Sequence, residues 1–308
     1  MKNVPSPFLP GPYQIQYAWD STSLGWLKEC PRKYYYSMIQ ALRPRGENIN
    51  IDFGLWYHGA LEVFDRAKAA GKSHEEALDE AIQYALTVTW KDGEPWKSDH
   101  DKKTRETLVR SVIWYCDHFK DDPAKTVILS SGAAAVELSF KMELDWGPTD
   151  SQPYVLCGHI DRLVDFSGGY YAMDRKTTSS TMAANYFDQY DPDNQMSLYT
   201  LAASVVYKTP VKGVIIDAAQ IAVGFTRFAR GFTYRTESQI AEWLTDLHYW
   251  FDLARQRAKE GYWPMNDKSC HKYGGCPFRR ICGKAPEVRD KFIETDYTVH
   301  QWNPLEPR

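Results

Sequence analysis

The chain has 308 residues, a length that fits one large domain or two ordinary ones. Hydrophobic residues make up 43% of it and aromatic residues 14%, so a sizeable core is available, and the formal net charge of −3 excludes a general polycation. The N-terminal segment has no apolar signal region, no apolar run approaches the ~18 residues of a membrane span, and six cysteines in this length do not indicate a secreted disulfide framework. These features predict a cytoplasmic protein.

The first third of the chain predicts helices, because its apolar residues recur at helical spacing between start and stop signals. The expected helices are a short one capped within Ser21–Ser23 and ending near Cys30, then 53–70 before a stop at Gly71, 73–88 and 99–119.

The pattern then changes to the period of strands. The expected elements are strands at 134–144, 154–166 and 170–177, a helix at 193–206, strands at 212–223 and 225–234, and a helix at 237–258. A turn at Ser167–Gly169 predicts a hairpin between the second and third strands. This order predicts an α/β fold with a central mixed β-sheet core at 134–258, a helical N-terminal region at 21–120 and a Cys-rich C-terminal tail at 262–290.

The sharpest candidate site lies on two successive predicted strands. Asp161 lies on the first strand, and Asp174 and Lys176 lie on the next. Side chains two residues apart on a strand point to one face, so Asp174 and Lys176 project together while Arg175 faces away. A carboxylate can hold a hard divalent ion, and a neighbouring ammonium can position the attacking water or stabilise developing charge. This combination indicates metal-assisted hydrolysis of a phosphate.

Each signal alone also has an ordinary structural explanation. A single histidine such as His58 is more often a surface or core residue, and an Asp-x-Lys triplet is usually a solvated strand edge. Gln195 and Tyr199 lie four residues apart and could form an ordinary helix face. Glu62 and Glu137 could support the site or contact a second metal, and a salt bridge is an equally good explanation for each.

Five short segments follow one another in a recognisable order. They are Ser23–Tyr34 (SLGWLKECPRKY), Gly54–His58 (GLWYH), Gly158–Asp161 (GHID), Met173–Lys176 (MDRK) and Gln195–Tyr199 (QMSLY). Together they resemble the RecB-like branch of the PD-(D/E)XK nuclease superfamily over Ser23 to Cys282. That branch includes the nuclease domains of bacterial recombination helicase-nucleases and the CRISPR-associated adaptation nucleases.

The resemblance implies a single nuclease domain over residues 1–308 with a restriction-endonuclease-like core. The implied ligands of Mg²⁺ or Mn²⁺ are the side chains of His58, Asp161 and Asp174 and the backbone carbonyl of Arg175. Lys176 would be the catalytic lysine, and Gln195 and Tyr199 would hold the DNA backbone or orient Lys176. The sequence has Asp at position 174, where many relatives have Glu, and the family pattern allows either.

The implied activity is that of a DNA exonuclease acting on single-stranded DNA or DNA ends. The processes would be recombination and repair, CRISPR adaptation or phage DNA processing, and the chain could be phage-encoded. The chain has no helicase P-loop, so unwinding would require a helicase or another recombination or CRISPR partner, and an oligomer is compatible with the sequence. A catalytically silent DNA-binding or assembly subunit and an RNA nuclease are the alternatives.

Two C-terminal patterns concern ligands outside the acidic motifs. Five cations and no acid lie between Lys268 and Lys284, which predicts a local surface for nucleic-acid phosphates. The remaining candidate ligands are Cys30, Cys270, Cys276 and Cys282. Thiolates suit both an iron–sulfur cluster and zinc, and their spacing departs from the usual runs of either. The resemblance implies a 4Fe–4S cluster, with structural Zn²⁺ as the alternative, whereas Cys116 and Cys157 are predicted to be buried small hydrophobes.

Overall fold

The computed structural model describes residues 4–46, 48–272 and 275–306. The chain forms two compact units, each assembled from segments distant in sequence. The first unit comprises Met1–Gly46, Ser139–Gly158 and Glu237–Arg308, and the second comprises Glu47–Leu138 and His159–Thr236. The division of the chain into domains therefore stays a prediction.

Helices build one layer of the second unit. They are α3 (Ile49–Ala69), α4 (His74–Val88) and α5 (Arg105–His118), and a short antiparallel pair of strands, β3 (Trp90–Lys91) and β4 (Glu94–Pro95), lies between α4 and α5 in the chain. A capping box begins α4, because Ser73 and Glu76 each accept a hydrogen bond from the other's backbone N–H. The apolar faces of these helices form one core, in which Phe53, Leu61 and Leu108 are fully buried.

A mixed sheet forms the other layer of the second unit. Its strands are β5 (Lys125–Thr126), β6 (Val136–Glu143), β7 (Val155–Phe166), β8 (Gly169–Thr178), β9 (Val211–Ile221) and β10 (Thr226–Thr233). The order is β7-β8-β9-β10, with β5 and β6 also paired to β7, and β6 and β7 contribute residues to both units. The pair β7–β8 is antiparallel and β8–β9 is parallel. A parallel pair needs a crossover connection, and α6 (Asn194–Val205) lies in it.

The first unit contains short strands and most of the C-terminal helices. Its elements outside β6 and β7 are β1 (Ala18–Trp19), α1 (Ser21–Glu29), α2 (Pro31–Tyr34), a π-helical turn (Tyr35–Ile39), β2 (Leu42–Pro44), α7 (Glu237–Glu260), α8 (Arg279–Cys282), α9 (Arg289–Asp296) and β11 (Tyr297–Val299). β1 is parallel to the start of β7, and β2 pairs with β11. The core is aromatic: the ring of Trp19 stacks on Tyr34 at 5.5 Å and on Phe251 at 4.6 Å.

The predicted α/β class with a central mixed sheet flanked by helices is confirmed. The hairpin at β7–β8 is confirmed too: Ser167 and Gly168 both have positive φ, as a two-residue type I′ turn requires. The predicted cap of the first helix was wrong, since Asp20 caps α1 by accepting a hydrogen bond from the N–H of Ser23 at 2.8 Å. In the part of the chain that the structure describes, no helix has the length and apolarity needed to cross a membrane.

Candidate metal centre

Three side chains of the second unit converge: His58, Glu137 and Asp161. One potential ligand atom from each lies within 4.8 Å of those of the other two. Nδ1 of His58 is 3.5 Å from Oδ2 of Asp161, whose side chain is only 7% exposed. An imidazole nitrogen and two carboxylates at this separation can hold a divalent cation such as Mn²⁺ or Mg²⁺.

Three separate elements position these side chains. His58 lies in the middle of α3, where the burial of its neighbours Tyr57 and Leu61 fixes the rotation of the helix. Asp161 lies on β7, and Glu137 lies near the start of β6. The backbone of Glu137 has φ of 49°, a left-handed conformation that is uncommon for a residue with a side chain and is enriched at functional sites. The surrounding structure therefore holds Glu137 in this conformation.

Asp174 and Lys176 form a second group on β8. The Nζ atom of Lys176 lies 2.7 Å from Oδ2 of Asp174, so the two side chains share a face of the strand, as the sequence predicts. Arg162 of β7 pairs with Met173 of β8, and Asp161 and Asp174 are the next residues along these antiparallel strands. The pairing of β7 with β8 thus places Asp161 beside Asp174, although the two residues are not neighbours in the sequence.

Burial controls the charge of this second group. Burial raises the pKa of Asp174 to about 7; the Lys176 ammonium opposes this shift and the carboxylate of Asp161 adds to it. Burial also disfavours the Lys176 ammonium, but the carboxylates of Asp174, Asp161 and Asp193 together outweigh that effect, and the pKa of Lys176 is raised. Two carboxylates placed close together in a buried position favour a bound cation, so these residues fit a metal.

Gln195 and Tyr199 extend the group through hydrogen bonds. Nζ of Lys176 donates to Oε1 of Gln195 at 2.8 Å, and Nε2 of Gln195 donates to the hydroxyl of Tyr199 at 2.9 Å. Asp193 caps α6 by accepting from the backbone N–H of Gln195 at 2.8 Å, which fixes Gln195 in the first turn and Tyr199 one turn later. The structure therefore brings both residues to Lys176.

Arg175 points away from Lys176 into buried polar surroundings. Its guanidinium donates to Oδ2 of Asp65 at 2.5 Å, and both residues are nearly inaccessible, at 2% and 3% exposure. Burial would lower the pKa of Arg175, but Asp65, Tyr115 and Asp217 together hold it well above its usual value. The backbone N–H of Arg175 donates to Oδ2 of Asp161 at 2.7 Å. Whether its carbonyl binds a metal stays a prediction.

The ion pair of Arg175 belongs to a larger buried network. Ion pairs join Arg162 to Asp65 at 3.5 Å and to Asp122 at 3.8 Å, and join Arg230 to Asp122 at 2.7 Å and to Asp217 at 3.2 Å. The hydroxyl of Tyr115 donates to Asp217, and its ring lies 5.6 Å from the guanidinium carbon of Arg175. Sequence analysis missed this network. One signal was available: Asp217 interrupts the apolar stretch of β9, where a charge needs a buried partner.

The four candidate thiols lie in the first unit as free cysteines. The backbone N–H of Asn266 donates to Sγ of Cys30 at 3.3 Å, so the segment before Cys270 contacts Cys30. Burial raises the pKa of Cys276, and raises that of Cys282 to about 11, and the nearby thiol of Cys30 adds to both shifts. The structure thus brings the C-terminal cysteines towards Cys30.

Cys116 lies in the helical core of the second unit, and Cys157 lies in a separate apolar cluster of the first unit with Ala18 and Val155; they are 0% and 1% exposed. Their burial confirms the prediction that they act as small hydrophobes.

The family model of the PD-(D/E)XK nuclease superfamily matches residues 21–283, which include all the converging residues described above. The chain belongs to the PD-(D/E)XK nuclease superfamily. Members of this superfamily are nucleases that use divalent metals, so the mixed sheet of this nuclease is a restriction-endonuclease-like core and the group of His58, Glu137 and Asp161 could hold such a metal.

Other comparisons add little to the family match. No curated protein matches the chain. The crystal structure of a protein named SSO0001 is similar over 87% of this chain and 86% of that one, at 11% sequence identity and a TM-score of 0.33. That likeness is too remote to inform fold or function.

Glu137 and Glu62, which the sequence left equivalent, provide a matched pair for testing the metal centre. Oε1 of Glu62 accepts from Arg66 at 2.8 Å on the exposed side of α3, whereas Glu137 lies with His58 and Asp161. We expect Glu137→Gln to weaken Mn²⁺ binding about 10- to 100-fold and Glu62→Gln to leave it unchanged. Calorimetric titration of each variant with Mn²⁺, without DNA, measures this. Equal affinities in the two variants would exclude Glu137 from the centre.

Proposed function

We propose that this nuclease is a Mg²⁺- or Mn²⁺-dependent DNA exonuclease of the RecB-like branch that acts on single-stranded DNA or DNA ends. The observation that carries the proposal is the convergence of His58, Glu137 and Asp161 in the same unit as the ion pair between buried Asp174 and half-buried Lys176. Recombination and repair, CRISPR adaptation or phage DNA processing are the processes in which it would act, beside a helicase or another DNA-processing partner.

The proposed chemistry divides between the metal and the chain. A bound divalent metal supplies Lewis acidity and lowers the pKa of a coordinated water. His58, Asp161 and Asp174 would hold it, with the carboxylate of Glu137 available as a further oxygen ligand. Lys176 remains protonated through its contact with Asp174, and an ammonium at the site stabilises the charge that develops on phosphate oxygens.

The distribution of positive charge supports a nucleic-acid substrate. All five cations of the predicted basic segment are exposed, although the chain as a whole carries a net charge of −3: Lys268, Lys272, Arg279, Arg280 and Lys284. Exposed cations bind the phosphate backbone without reading the sequence of bases. The proposal is therefore an enzyme of low sequence specificity that binds backbone and ends.

The experiment that tests this function compares labelled single-stranded DNA, duplex DNA and RNA in the presence of Mn²⁺, of Mg²⁺ and of EDTA. We expect stepwise shortening of single-stranded DNA from an end and no cleavage in EDTA. Mn²⁺ should support the higher rate, because the imidazole of His58 is a softer ligand than a carboxylate. Cleavage of RNA alone would show that the protein is a ribonuclease. Binding of DNA without cleavage in either metal would indicate a catalytically silent DNA-binding subunit.

For the cysteine site we propose a structural 4Fe–4S cluster that links the C-terminal segment to the start of the chain. Support comes from the approach of the segment before Cys270 to Cys30, and from the contribution of the Cys30 thiol to the raised pKa values of Cys276 and Cys282. Four thiolates are the ligand set of such a cluster.

The cysteine site makes a spectroscopic prediction. Anaerobically purified protein is expected to be brown with absorbance near 400 nm, and Cys282→Ser should lose most of that absorbance. Cys157→Ala is the matched control, since Cys157 is buried in a different apolar cluster from Cys276 and Cys282, and it should keep the absorbance. A colourless protein with stoichiometric zinc would show that the cysteines bind structural Zn²⁺ and not an iron–sulfur cluster.

A further inference from the structure

A cavity of about 230 Å³ lies in the first unit. Its wall includes Tyr35 and Gln40 from the stretch after α2, Tyr262 after α7, and Arg289 and Asp290 of α9. Its volume lies below the roughly 300–1,000 Å³ of pockets for drug-sized ligands. The cavity therefore suits a ligand of one flat ring system.

Aromatic rings give this cavity surfaces for stacking. Tyr35 begins the π-helical turn Tyr35–Ile39, a rare conformation that often marks functional sites. The ring of Tyr35 stacks on Trp263 at 6.3 Å with 24° between the planes, which braces it from one side. Tyr262 is 60% exposed, so its ring is accessible to a stacking partner. A flat ligand would cover it.

Polar groups in the same wall offer both hydrogen-bond acceptors and cations. Oε1 of Gln40 is buried and, in the part of the chain that the structure describes, accepts no hydrogen bond, and Asp290 adds a carboxylate. Arg32 donates to the carbonyl of Trp263 at 2.5 Å, and Arg289 donates to that of Lys284 at 3.0 Å. Within the described ranges neither arginine pairs with a carboxylate, so their other N–H groups can donate to an anion.

We infer that this cavity binds one unpaired nucleobase of a DNA strand, an inference that rests on the proposed DNA substrate. The base would stack on Tyr262 and Tyr35, its amino or imino N–H groups would donate to Gln40 and Asp290, and Arg32 and Arg289 would contact the adjoining phosphates. The carboxylate of Asp290 disfavours a site for phosphate alone. Exposed aromatics combined with arginines are the usual means by which proteins hold single strands.

Binding of a labelled single-stranded oligonucleotide tests this inference. The full-length chain with Lys176→Ala is used so that the DNA is not cut, and fluorescence anisotropy measures the dissociation constant. Tyr262→Ala is expected to weaken binding about tenfold, within the range for loss of one stacked base. Tyr262→Phe keeps the ring and should restore binding. Tyr249→Ala is the matched control, because Tyr249 is 65% exposed and does not line the cavity.

An oligonucleotide with abasic positions identifies the bound group. We expect Tyr262→Ala to leave its affinity unchanged, since the sugar–phosphate chain remains and the base is missing. Equal losses on both oligonucleotides, or none on either, would overturn the inference. Strong competition by free dAMP, with oligonucleotide binding insensitive to Tyr262→Ala, would make the cavity a mononucleotide site and overturn it too.

Failure of this inference is distinguishable from failure of the proposed function. Cleavage assays examine the wild-type metal centre in the second unit, whereas the binding assay uses a chain that cannot cut. DNA cleavage with no Tyr262 effect would reject the nucleobase cavity alone. Absence of DNA cleavage together with absence of DNA binding would reject both.

Discussion

Lys176→Ala is expected to lower the rate of DNA cleavage by about 10²- to 10³-fold, the usual cost of removing one preorganised group that stabilises transition-state charge. The ammonium of Lys176 lies 2.7 Å from Asp174 and donates to Gln195 at 2.8 Å, so it is held in one position. No other side chain of this group carries a positive charge. Single-turnover cleavage of labelled single-stranded DNA at saturating Mn²⁺ measures the loss.

Two controls separate a catalytic effect from damage to the fold. Lys212→Ala removes an exposed lysine from β9 in the same unit and should leave the rate unchanged. The thermal unfolding of Lys176→Ala should also be measured, because this substitution leaves the buried carboxylate of Asp174 without its ammonium. A folded Lys176→Ala protein that cuts DNA at the wild-type rate would remove the proposed catalytic role.

Asp65→Asn is expected to lower the free energy of unfolding by about 3–5 kcal/mol, the usual cost of removing one partner of a buried ion pair. Asp65 pairs with Arg175 at 2.5 Å and with Arg162 at 3.5 Å, and its side chain is 4% exposed. The substitution leaves two buried guanidinium groups with one carboxylate fewer. Urea unfolding followed by circular dichroism measures the change.

Asp252→Asn provides the matched exposed pair. Asp252 accepts from Arg255 at 2.8 Å, but the two side chains are 57% and 37% exposed. Water screens such a pair, so its loss should lower the free energy of unfolding by at most about 1 kcal/mol. Similar unfolding midpoints for Asp65→Asn and Asp252→Asn would show that the buried network does not stabilise the protein.

The buried network also holds residues of the metal centre in position. Arg175 separates Asp174 from Lys176 in the chain, its guanidinium is anchored by Asp65, and its N–H donates to Asp161. Through these two contacts, Arg175 links the metal centre on one face of β8 to the buried ion pair with Asp65 on the other face. Sites built on strands keep their geometry only when neighbouring contacts hold them.

Local chemistry explains which elements could be predicted. The capping box at Ser73 and the turn at Ser167 and Gly168 are short-range signals, and the predicted helix and hairpin formed there. The start of α5 was predicted six residues too early, because periodicity does not locate a cap. Thr104 supplies that cap by accepting from the N–H of Thr107. Short strands such as β1 also escaped prediction, since two residues contain no measurable alternation.

The pairing of Asp174 with Lys176 was readable because strand periodicity orients neighbouring side chains without knowledge of the fold. The place of Glu137 was not readable, because its approach to His58 and Asp161 depends on packing between segments that are distant in the chain. The partners of Arg175 were equally hidden, since Asp65 lies on a helix 110 residues earlier. No local pattern encodes contacts of that kind.

The sequence by itself determined the order of helices and strands, the shared face of Asp174 and Lys176, and the motif order typical of the nuclease superfamily. Only the tertiary structure decided that Glu137 rather than Glu62 joins His58 and Asp161, and that buried acids hold Arg175. The physical reason is the distance along the chain between the residues that make each contact. Turns, caps and strand faces depend on neighbouring residues, whereas a metal centre and a buried ion pair depend on packing between segments far apart in the chain.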